Sequence, residues 1–270
     1  MKEVRTLFFS ATDNTRKMVQ SVADGLSKGL SCPISENNNV TPFASREKMY
    51  CFAGDCVAVI GFPVYAGRIP NKILPFFLNN VKGENTPAVA VLTYGNRAYD
   101  NALREIQQVL HKNGFVVIGA LTQPSQHSFS SSVATGRPNN EDLAKAEEFG
   151  LSLAKKILAG NISDCLPVDE GELVYYTPLT TQGNKANILK VIPESRRDLC
   201  DSCGDCALRC PMGSIPKETP WETTGICIKC HACVAHCHKG ARAFTDEVFL
   251  SHKEMIEQNF SARKESEYFI

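Results

Sequence analysis

Residues 3–20 read EVRTLFFSATDNTRKMVQ, and this stretch passes from one type of secondary structure to another. Residues 3–9 form an apolar run of the length of a buried strand, and from Asn14 onward the apolar positions recur with the spacing of a helix. Between them, residues 10–13 supply small, hydroxyl and acidic side chains. A strand that enters a helix through such a short loop is typical of the first half of a βαβ unit.

The same alternation continues through the first 160 residues. Further strands are predicted at 55–62, 87–94 and 115–121, with a weaker one at 32–35. Helices are predicted at 14–28, 70–79, 98–112 and 140–159. Strands that alternate with helices of this length predict an α/β fold, in which a doubly wound parallel sheet carries helices on both faces.

The composition disfavours some classes of partner. The 29 lysines and arginines match the 29 acidic residues, so no net positive charge is available to attract nucleic acid. No apolar stretch approaches the length of a membrane span, and residues 1–10 lack the features of a secretion signal. We therefore expect a cytoplasmic protein without membrane insertion. In that reducing compartment, regularly spaced cysteines more often bind metal than pair as disulfides.

Eight of the 12 cysteines form two runs with identical spacing. The first run is Cys200, Cys203, Cys206 and Cys210, and the second is Cys227, Cys230, Cys233 and Cys237. Two-residue gaps allow three thiolates to surround one [4Fe-4S] cluster, while the fourth cysteine leads toward the other cluster. Crossed ligation is therefore predicted, with one cluster on Cys200, Cys203, Cys206 and Cys237 and the other on Cys227, Cys230, Cys233 and Cys210.

Two zinc sites are the alternative, because zinc also binds four thiolates, but zinc leaves the third closely spaced cysteine of each run unexplained. Residues 191–245 resemble the two-cluster bacterial ferredoxins. Those proteins usually carry proline after both fourth cysteines, whereas this chain has Pro211 and His238. We expect His238 to add a donor near a sulfur and alter that cluster's potential, and His231 and His236 to be solvated or to lie behind the ligands.

Three loops in the N-terminal part suit a phosphate or an aromatic ligand. Residues 10–16 open the first helix with hydroxyl and amide side chains, which together with backbone N–H groups can hold a phosphate or simply cap the helix. The loops at 61–68 and 93–100 each place an aromatic residue beside a glycine. Because all three loops follow parallel strands, we expect them at the carboxyl edge of the sheet, where doubly wound folds bind ligands.

Residues 1–160 resemble a flavodoxin domain, with a Ser/Thr-rich phosphate loop followed by two flavin loops. The resemblance implies a five-stranded parallel sheet of order 2-1-3-4-5 and bound FMN. It assigns the FMN to Ser10, Ala11, Thr12, Asn14, Thr15, Pro63, Val64, Tyr65, Ala66, Gly67, Thr93, Tyr94, Gly95 and Asn96. Tyr65 and Tyr94 are the candidates for stacking on the ring, with ordinary surface tyrosines as the alternative. Asp13 stands where the phosphate loop usually has glycine, and we expect its carboxylate to point outward.

The remaining segments are less informative. Residues 161–190 are a predicted linker, which leaves 191–250 as the cluster domain. Residues 251–270 are a polar tail, expected to form a surface helix or a frayed end. The long segment 122–139, with His127 and Arg137, is predicted to cover the flavin, to face the cluster domain or to be a surface loop. The isolated cysteines are predicted to be buried as small apolar residues. They are Cys32, Cys51, Cys56 and Cys165.

The two halves together resemble the flavodoxin–ferredoxin fusion family of EFR-type ferrodoxins. The resemblance implies an electron carrier between unidentified low-potential redox partner proteins in anaerobic metabolism, with FMN and two clusters as cofactors. The alternatives are an FMN-dependent reductase of a quinone or nitro compound, and an oxygen sensor. The sequence has no Gly-x-Gly-x-x-Gly motif for a nicotinamide cofactor and no DNA-reading element. No catalytic residue is predicted, and a monomer or a homodimer is expected.

Overall fold

A computed structural model describes residues 1–163 and 165–270, so position 164 of the predicted linker lies outside the described residues. The strands are β1 (Glu3–Phe8), β2 (Ile34–Asn39), β3 (Tyr50–Phe52), β4 (Cys56–Pro63), β5 (Val81–Gly83), β6 (Thr86–Tyr94), β7 (Phe115–Pro124), β8 (Glu194–Ser195), β9 (Arg242–Ala243) and β10 (Glu267–Phe269). The helices are α1 (Asn14–Leu30), α2 (Leu74–Asn80), α3 (Ala102–Lys112), α4 (Asn140–Leu158), α5 (Asp205–Arg209), α6 (Ala232–Ala235) and α7 (Glu247–Asn259). Within the described residues, no helix is both long and apolar enough to cross a membrane.

Six strands form the main sheet in the order β2-β1-β4-β6-β7-β10. The first five are parallel, and counted within this sheet they follow the order 2-1-3-4-5. The last strand, β10, pairs antiparallel with β7, with Tyr268 opposite Leu121. The predicted doubly wound α/β fold with a mostly parallel sheet is confirmed. The predicted number of five strands is wrong, because β10 covers the edge of β7.

The two faces of the sheet pack against different helices. On β4, Val59 belongs to the core shared with α1 and α4, whereas the next residue, Ile60, belongs to the core shared with α2 and α3. Helices α1 and α4 approach closely because Gly25 and Gly150 lie where they cross. A Cβ on Gly150 would lie only 2.3 Å from the carbonyl oxygen of Val22.

Residues 251–270 begin as a helix, one of the two expected forms, but they do not end as a free tail. Helix α7 extends through this region with Ile256 buried, and the chain then returns to the sheet as β10. The Asn96 side-chain amide donates hydrogen bonds to the carbonyl oxygens of Phe260 and Ala262 at 2.6 and 2.8 Å. These bonds fix the turn between α7 and β10.

Much of the predicted linker crosses the carboxyl edge of the sheet as an irregular segment, residues 173–192, named the strap. Its Tyr176 N–H donates to the carbonyl oxygen of Ala66 at 2.9 Å. On the other side, the carbonyl oxygen of Leu179 lies 2.8 Å from Nδ1 of His252 on α7. The strap therefore ties the loop after β4 to the C-terminal helix.

The segment with both cysteine runs is closed at its base by β8 and β9. These strands pair antiparallel, with Glu194 opposite Ala243, so both ends of the segment lie together. Buried Arg242 on β9 reaches inward and donates to the carbonyl oxygen of Pro220 at 2.8 Å. Helices α5 and α6 are short and lie between these strands in the chain.

Candidate functional site

The carboxyl ends of β1, β4 and β6 open into one cavity of about 920 Å³. This volume lies within the range of small-molecule sites, roughly 300–1,000 Å³. The walls come from the three predicted loops, the loop after β7, the strap and residues 225–229 at the second cysteine run. Both halves of the chain therefore contribute to the cavity.

All the predicted flavin residues except Ser10 and Asn96 line this cavity. The Ser10 hydroxyl instead accepts a hydrogen bond from the Arg16 N–H at 3.1 Å, near the start of α1. Asn96 is 1% exposed, and its amide holds the turn before β10. These two residues support the loops, while the other predicted residues form the cavity surface.

The start of α1 is well suited to a phosphate. Its N-cap residue, Asp13, has a left-handed backbone with φ 64°, and within the described residues its side chain caps no N–H group of the helix. The Asp13 carboxylate accepts a hydrogen bond from Arg16 Nε at 2.9 Å, outside the cavity lining, as expected from the sequence. The Arg16 N–H donates to the Ser10 hydroxyl, so in the described part of the chain the N–H groups of Asn14 and Thr15 are left to an anion, which the helix dipole also favours.

The phosphate loop is joined to β6 beneath the cavity. The hydroxyl oxygens of Thr15 and Thr93 lie 2.7 Å apart, and both residues are buried. One of these hydroxyls donates to the other, so each keeps further hydrogen-bonding capacity. The pair fixes the distance between the loop that suits a phosphate and the loop predicted to bind a flavin ring.

The loop after β4 makes a tight turn that presents Tyr65. The Tyr65 N–H donates to the Arg68 carbonyl oxygen at 2.8 Å, and the Arg68 N–H donates back at 3.2 Å. The central residues, Ala66 and Gly67, have φ values of 49° and 78°, the backbone region that glycine adopts most easily. A Cβ on Gly67 would lie 2.4 Å from an oxygen of Asp100, so the turn also needs a residue without a side chain.

The two candidate stacking tyrosines have different surroundings. Tyr94 is 5% exposed, its ring packs edge-on against Tyr99 at 5.6 Å, and burial raises the pKa of Tyr94 to about 12. Tyr65 is half-buried. Burial and, after it, the nearby thiols of Cys230 and Cys227 raise the pKa of Tyr65. Tyr65 therefore lies between the cavity and the second cysteine run.

The cavity also contains aromatic side chains that were given no role from the sequence. They are His127, Phe129, Tyr176 and His252. A Cβ on Gly95 would lie 2.2 Å from Cδ2 of His127, so the flavin loop and the loop after β7 touch. Burial, followed by the charges of His252 and Arg97, lowers the pKa of His127 to about 4. The length of segment 122–139 was the only signal for His127 and Phe129, and no sequence signal marked Tyr176 or His252.

Arg137, in the same segment, has a structural position. It is 5% exposed, and its Nε donates to Oδ2 of Asp142 at 3.0 Å. Asp142 in turn forms a capping box with Asn139 at the start of α4. This pairing connects the loop to the helix that follows it.

The two cysteine runs have the same backbone conformation. Left-handed residues occupy equivalent positions in the two runs, namely Ser202 and Lys229, Gly204 and His231, and Gly213 and Gly240. After the fourth cysteine of each run, a backbone N–H points at its sulfur, from Ser214 to Cys210 at 3.4 Å and from Ala241 to Cys237 at 3.2 Å. The duplication seen in the sequence is therefore also a duplication of structure.

The fourth cysteine of the first run lies with the first three of the second run. Burial raises the pKa of Cys233 to about 11, and the charges of Cys227 and Cys210 add to this effect. Burial likewise raises the pKa of Cys230, with Cys233, Cys210 and Cys227 contributing. These four thiols are therefore neighbours.

The end of the second run likewise reaches the first run, through His238, the residue after Cys237. His238 Nε2 lies 2.8 Å from Oδ2 of Asp201 in the first run. A ring nitrogen of His238, a carboxylate oxygen of Asp201 and Sγ of Cys203 all lie within 4.8 Å of one another. The end of the second run thus lies against the first.

This arrangement suits a cationic centre. Cys227, Cys230 and Cys233 resist ionisation, because burial raises the pKa of each thiol and the neighbouring thiolate charges add to that effect. Iron or zinc bound to them would offset both effects. None of the 12 cysteines forms a disulfide in the described part of the chain.

The remaining cysteines and the neighbouring histidines only partly match expectation. Cys56 is buried as predicted, but the prediction is wrong for Cys51 and Cys165, which are exposed. His238 is solvated, with 53% of its side chain exposed. His231 is 7% exposed and stacks on Phe244 at 4.6 Å.

No protein-family model matches the chain, and no curated protein matches it. Several solved structures are similar to it in part. A flavodoxin from the domain Archaea shares 13% identity over 58% of this chain and 99% of its own, with a TM-score of 0.40. Flavodoxin 2 from Bacillus cereus shares 13% identity over 58% of this chain and 99% of its own, with a TM-score of 0.42. Rubredoxin oxygen:oxidoreductase from Desulfovibrio gigas shares 15% over 59% of this chain and 37% of its own, with a TM-score of 0.40.

Proposed function

We propose that this chain is a cytoplasmic electron-transfer protein, a flavodoxin–ferredoxin fusion of the EFR type, with FMN in the cavity and two [4Fe-4S] clusters on the eight cysteines. It would carry electrons between low-potential redox partner proteins in anaerobic metabolism. One observation carries the proposal: Cys227 lines the same cavity as the flavin loops. A cluster ligand and the flavin pocket therefore share a wall.

The residues of the cavity fit FMN. The uncapped start of α1, together with the side chains of Thr12 and Asn14, would bind the phosphate. Tyr65 and Tyr94 would flank the isoalloxazine ring from the loops after β4 and β6. Gly95 would let the ring approach the backbone.

The cysteines fit two iron–sulfur clusters with crossed ligation. Cys210 would join Cys227, Cys230 and Cys233 on one cluster, and Cys237 would join Cys200, Cys203 and Cys206 on the other. Backbone N–H groups that already point at sulfur atoms would stabilise the negative charge of the thiolates. They belong to Ser214, Lys229 and Ala241.

When bound, the clusters exchange single electrons and FMN accepts one or two, which would allow the protein to serve both one-electron and two-electron partners. The positions of the cysteines would set the order of the redox sites between the surface and the cavity. Cys227 lines the flavin cavity and Cys230 is buried, whereas Cys203 is exposed, so one proposed cluster would lie next to the cavity and the other at the surface. A partner protein would therefore exchange electrons at the first cysteine run.

A small-molecule reductase is the second candidate, and the strap favours it. Tyr176 of the strap and His252 of α7 both line the cavity, beyond the predicted flavin loops. A covered cavity gives a small molecule more access to the flavin than it gives a protein partner. The reductase would use the same cofactors, with the clusters supplying electrons to the flavin.

Anaerobic purification followed by analysis of iron, acid-labile sulfide and FMN tests the proposal. We expect about eight iron atoms, about eight sulfides and about one FMN per chain. Zinc in place of iron would contradict it. Protein reduced with dithionite should then be mixed with candidate acceptors. Rapid reoxidation by a redox protein alone supports the carrier, and saturable turnover of one small compound supports the reductase.

A further inference from the structure

The strap side of the cavity contains two imidazoles on either side of one apolar ring. The ring of Phe129 lies 4.9 Å from the ring of His127 and 6.4 Å from that of His252. His127 comes from the loop after β7, and His252 comes from α7. Tyr176 forms the rest of this wall, and its ring lies 6.5 Å from the ring of His252. The guanidinium of Arg97 packs over the Tyr176 ring at 3.7 Å in a cation–π contact.

The hydrogen-bond network assigns His127 one tautomer. Its Nδ1 accepts a hydrogen bond from the Phe129 N–H at 3.1 Å, so in the neutral ring the proton is on Nε2. Burial keeps this imidazole neutral at neutral pH, since it lowers the pKa to about 4. Within residues 1–163 and 165–270, Nε2 has no hydrogen-bond partner. His127 therefore offers the cavity an N–H donor.

His252 has the opposite tautomer. Its Nδ1 lies 2.8 Å from the carbonyl oxygen of Leu179, which can only accept, so Nδ1 has the proton and Nε2 has a free lone pair. Burial lowers the pKa of His252 as well. The residue is 3% exposed, and its Nε2 has no hydrogen-bond partner in the described part of the chain. Because His252 lines the cavity, this lone pair can accept a hydrogen bond from a donor group of a ligand.

We propose that His127 and His252 form a second ligand subsite beside the flavin, which takes the quinone and hydroquinone forms of a small uncharged aromatic compound. This inference rests on the proposed function and deepens its reductase candidate. A quinone oxygen only accepts hydrogen bonds and suits the N–H of His127. A hydroquinone O–H donates and suits the lone pair of His252.

The walls support an uncharged flat ligand. Phe129 and buried Ile256 supply an apolar surface, and both imidazoles are neutral. Arg97 is the cation that faces both imidazoles, and it is already paired with the carboxylate of Asp100. The ring of Phe129 also packs against the rings of His231 and Phe249, at 4.7 and 4.8 Å, and these contacts hold it in the cavity wall.

Binding to the oxidised, cofactor-loaded protein tests the subsite without turnover. Two probes carry the same four methyl groups on a six-membered ring. Duroquinone only accepts hydrogen bonds, and 2,3,5,6-tetramethylphenol also donates one. Calorimetry gives their dissociation constants. His127→Asn keeps an acceptor for the Phe129 N–H and removes the Nε2 donor, and His127→Gln restores a donor at that reach. His252→Asn keeps the bond to Leu179 and removes the Nε2 lone pair.

We expect His127→Asn to weaken duroquinone about tenfold, the free energy of about one hydrogen bond, and His127→Gln to recover most of it. His252→Asn should weaken tetramethylphenol about tenfold and duroquinone less than twofold. His111→Asn, at an exposed position at the end of α3, is the matched control and should change neither constant.

Equal constants in the wild-type protein and both asparagine variants would overturn the subsite, as would the absence of wild-type binding at the solubility limit. Iron and FMN contents are measured on every preparation. A wild-type chain without FMN would overturn the proposed function as well. A loaded wild-type chain that binds no probe would overturn the subsite alone.

Discussion

At the scale of single residues, the loops between the cysteines of the two runs have unusual backbones. Ser202, Lys229 and His231 have φ values of 62°, 55° and 61°, which are uncommon for residues with side chains. Such positions cost of order 1 kcal/mol each and persist where the surrounding structure fixes them. Here the turns bring N–H groups toward sulfur, as at Cys227, whose Sγ accepts from the Lys229 N–H at 3.4 Å. The strained backbone of these loops therefore directs N–H groups at the cysteine sulfurs.

Crossed ligation predicts that Cys210→Ser and Cys227→Ser remove the same cluster, although the residues belong to different runs. Each variant should retain about four of about eight iron atoms. Both should also give the same electron paramagnetic resonance spectrum after reduction. Cys51→Ser, at an exposed isolated cysteine, is the control and should keep all the iron. A spectrum shared by Cys210→Ser and Cys200→Ser instead would show that each run holds its own cluster.

His127 predicts a specific dependence of stability on pH. Its pKa falls from 6.5 to about 4 on folding, so the unfolded chain binds more protons between these values and stability is lost as the pH drops through that window. Between about pH 7 and pH 5.5 this one group should cost about 1 kcal/mol of unfolding free energy. Urea unfolding should show the loss in the wild-type protein and a smaller loss in His127→Asn. An equal loss in both proteins would contradict the assignment.

At the scale of elements, the crossing of α1 and α4 depends on glycine. Gly150→Ala would place a Cβ 2.3 Å from a backbone oxygen of α1, which cannot move without shifting the helix. We expect a loss of about 1–3 kcal/mol, typical of overpacking, measured by urea unfolding. Ser152→Ala, at an exposed position of the same helix, should change stability by less than about 0.5 kcal/mol.

Helices and strands whose apolar residues recur at a regular spacing could be predicted from the sequence, and segments without such a spacing could not. Strands β4 and β6 are buried over most of their length, and α1 and α4 span four turns or more, so apolar spacing identified them. Strand β10 has three residues, too few to show alternation. The strap is fixed by single hydrogen bonds such as that from Tyr176 to Ala66, and no local pattern encodes such bonds.

The same distinction holds for the candidate site. The flavin loops were predicted because each follows a strong strand, and parallel strands end at one edge. His252 is distant in sequence from every such loop, and only the packing of α7 brings it to the cavity. Asn96 was predicted to face the flavin, but its amide satisfies two carbonyl groups of the C-terminal chain.

At the scale of the whole molecule, the two halves contact each other directly. The guanidinium of Arg46, in the N-terminal half, donates to the carbonyl oxygen of Pro211, the residue after Cys210. On the cavity side, the Lys229 ammonium donates to the carbonyl oxygen of Leu189 in the strap at 2.8 Å. The second cysteine run is thus held by both the N-terminal half and the strap.

Under the proposed function, this arrangement predicts that FMN affinity depends on the second cysteine run more than on the first. Cys227→Ser should weaken FMN binding at least about fivefold, because residues 225–229 line the cavity and lose their anchor. Cys200→Ser, in the run whose cysteines do not line the cavity, should weaken it less than about twofold. Flavin fluorescence titration of the two variants gives both constants. Equal effects would show that the wall of the cavity is rigid without iron.

The shared wall at Cys227 also has a consequence for a cell that runs short of iron. Under the proposed function, chains made under starvation would lack the iron proposed at Cys227, and because residues 225–229 line the cavity, their hold on the vitamin-derived coenzyme would loosen at the same time. The iron supply would then govern how many chains carry the flavin coenzyme. Chains with the coenzyme but without iron, which could accept electrons but not pass them on, would be scarce.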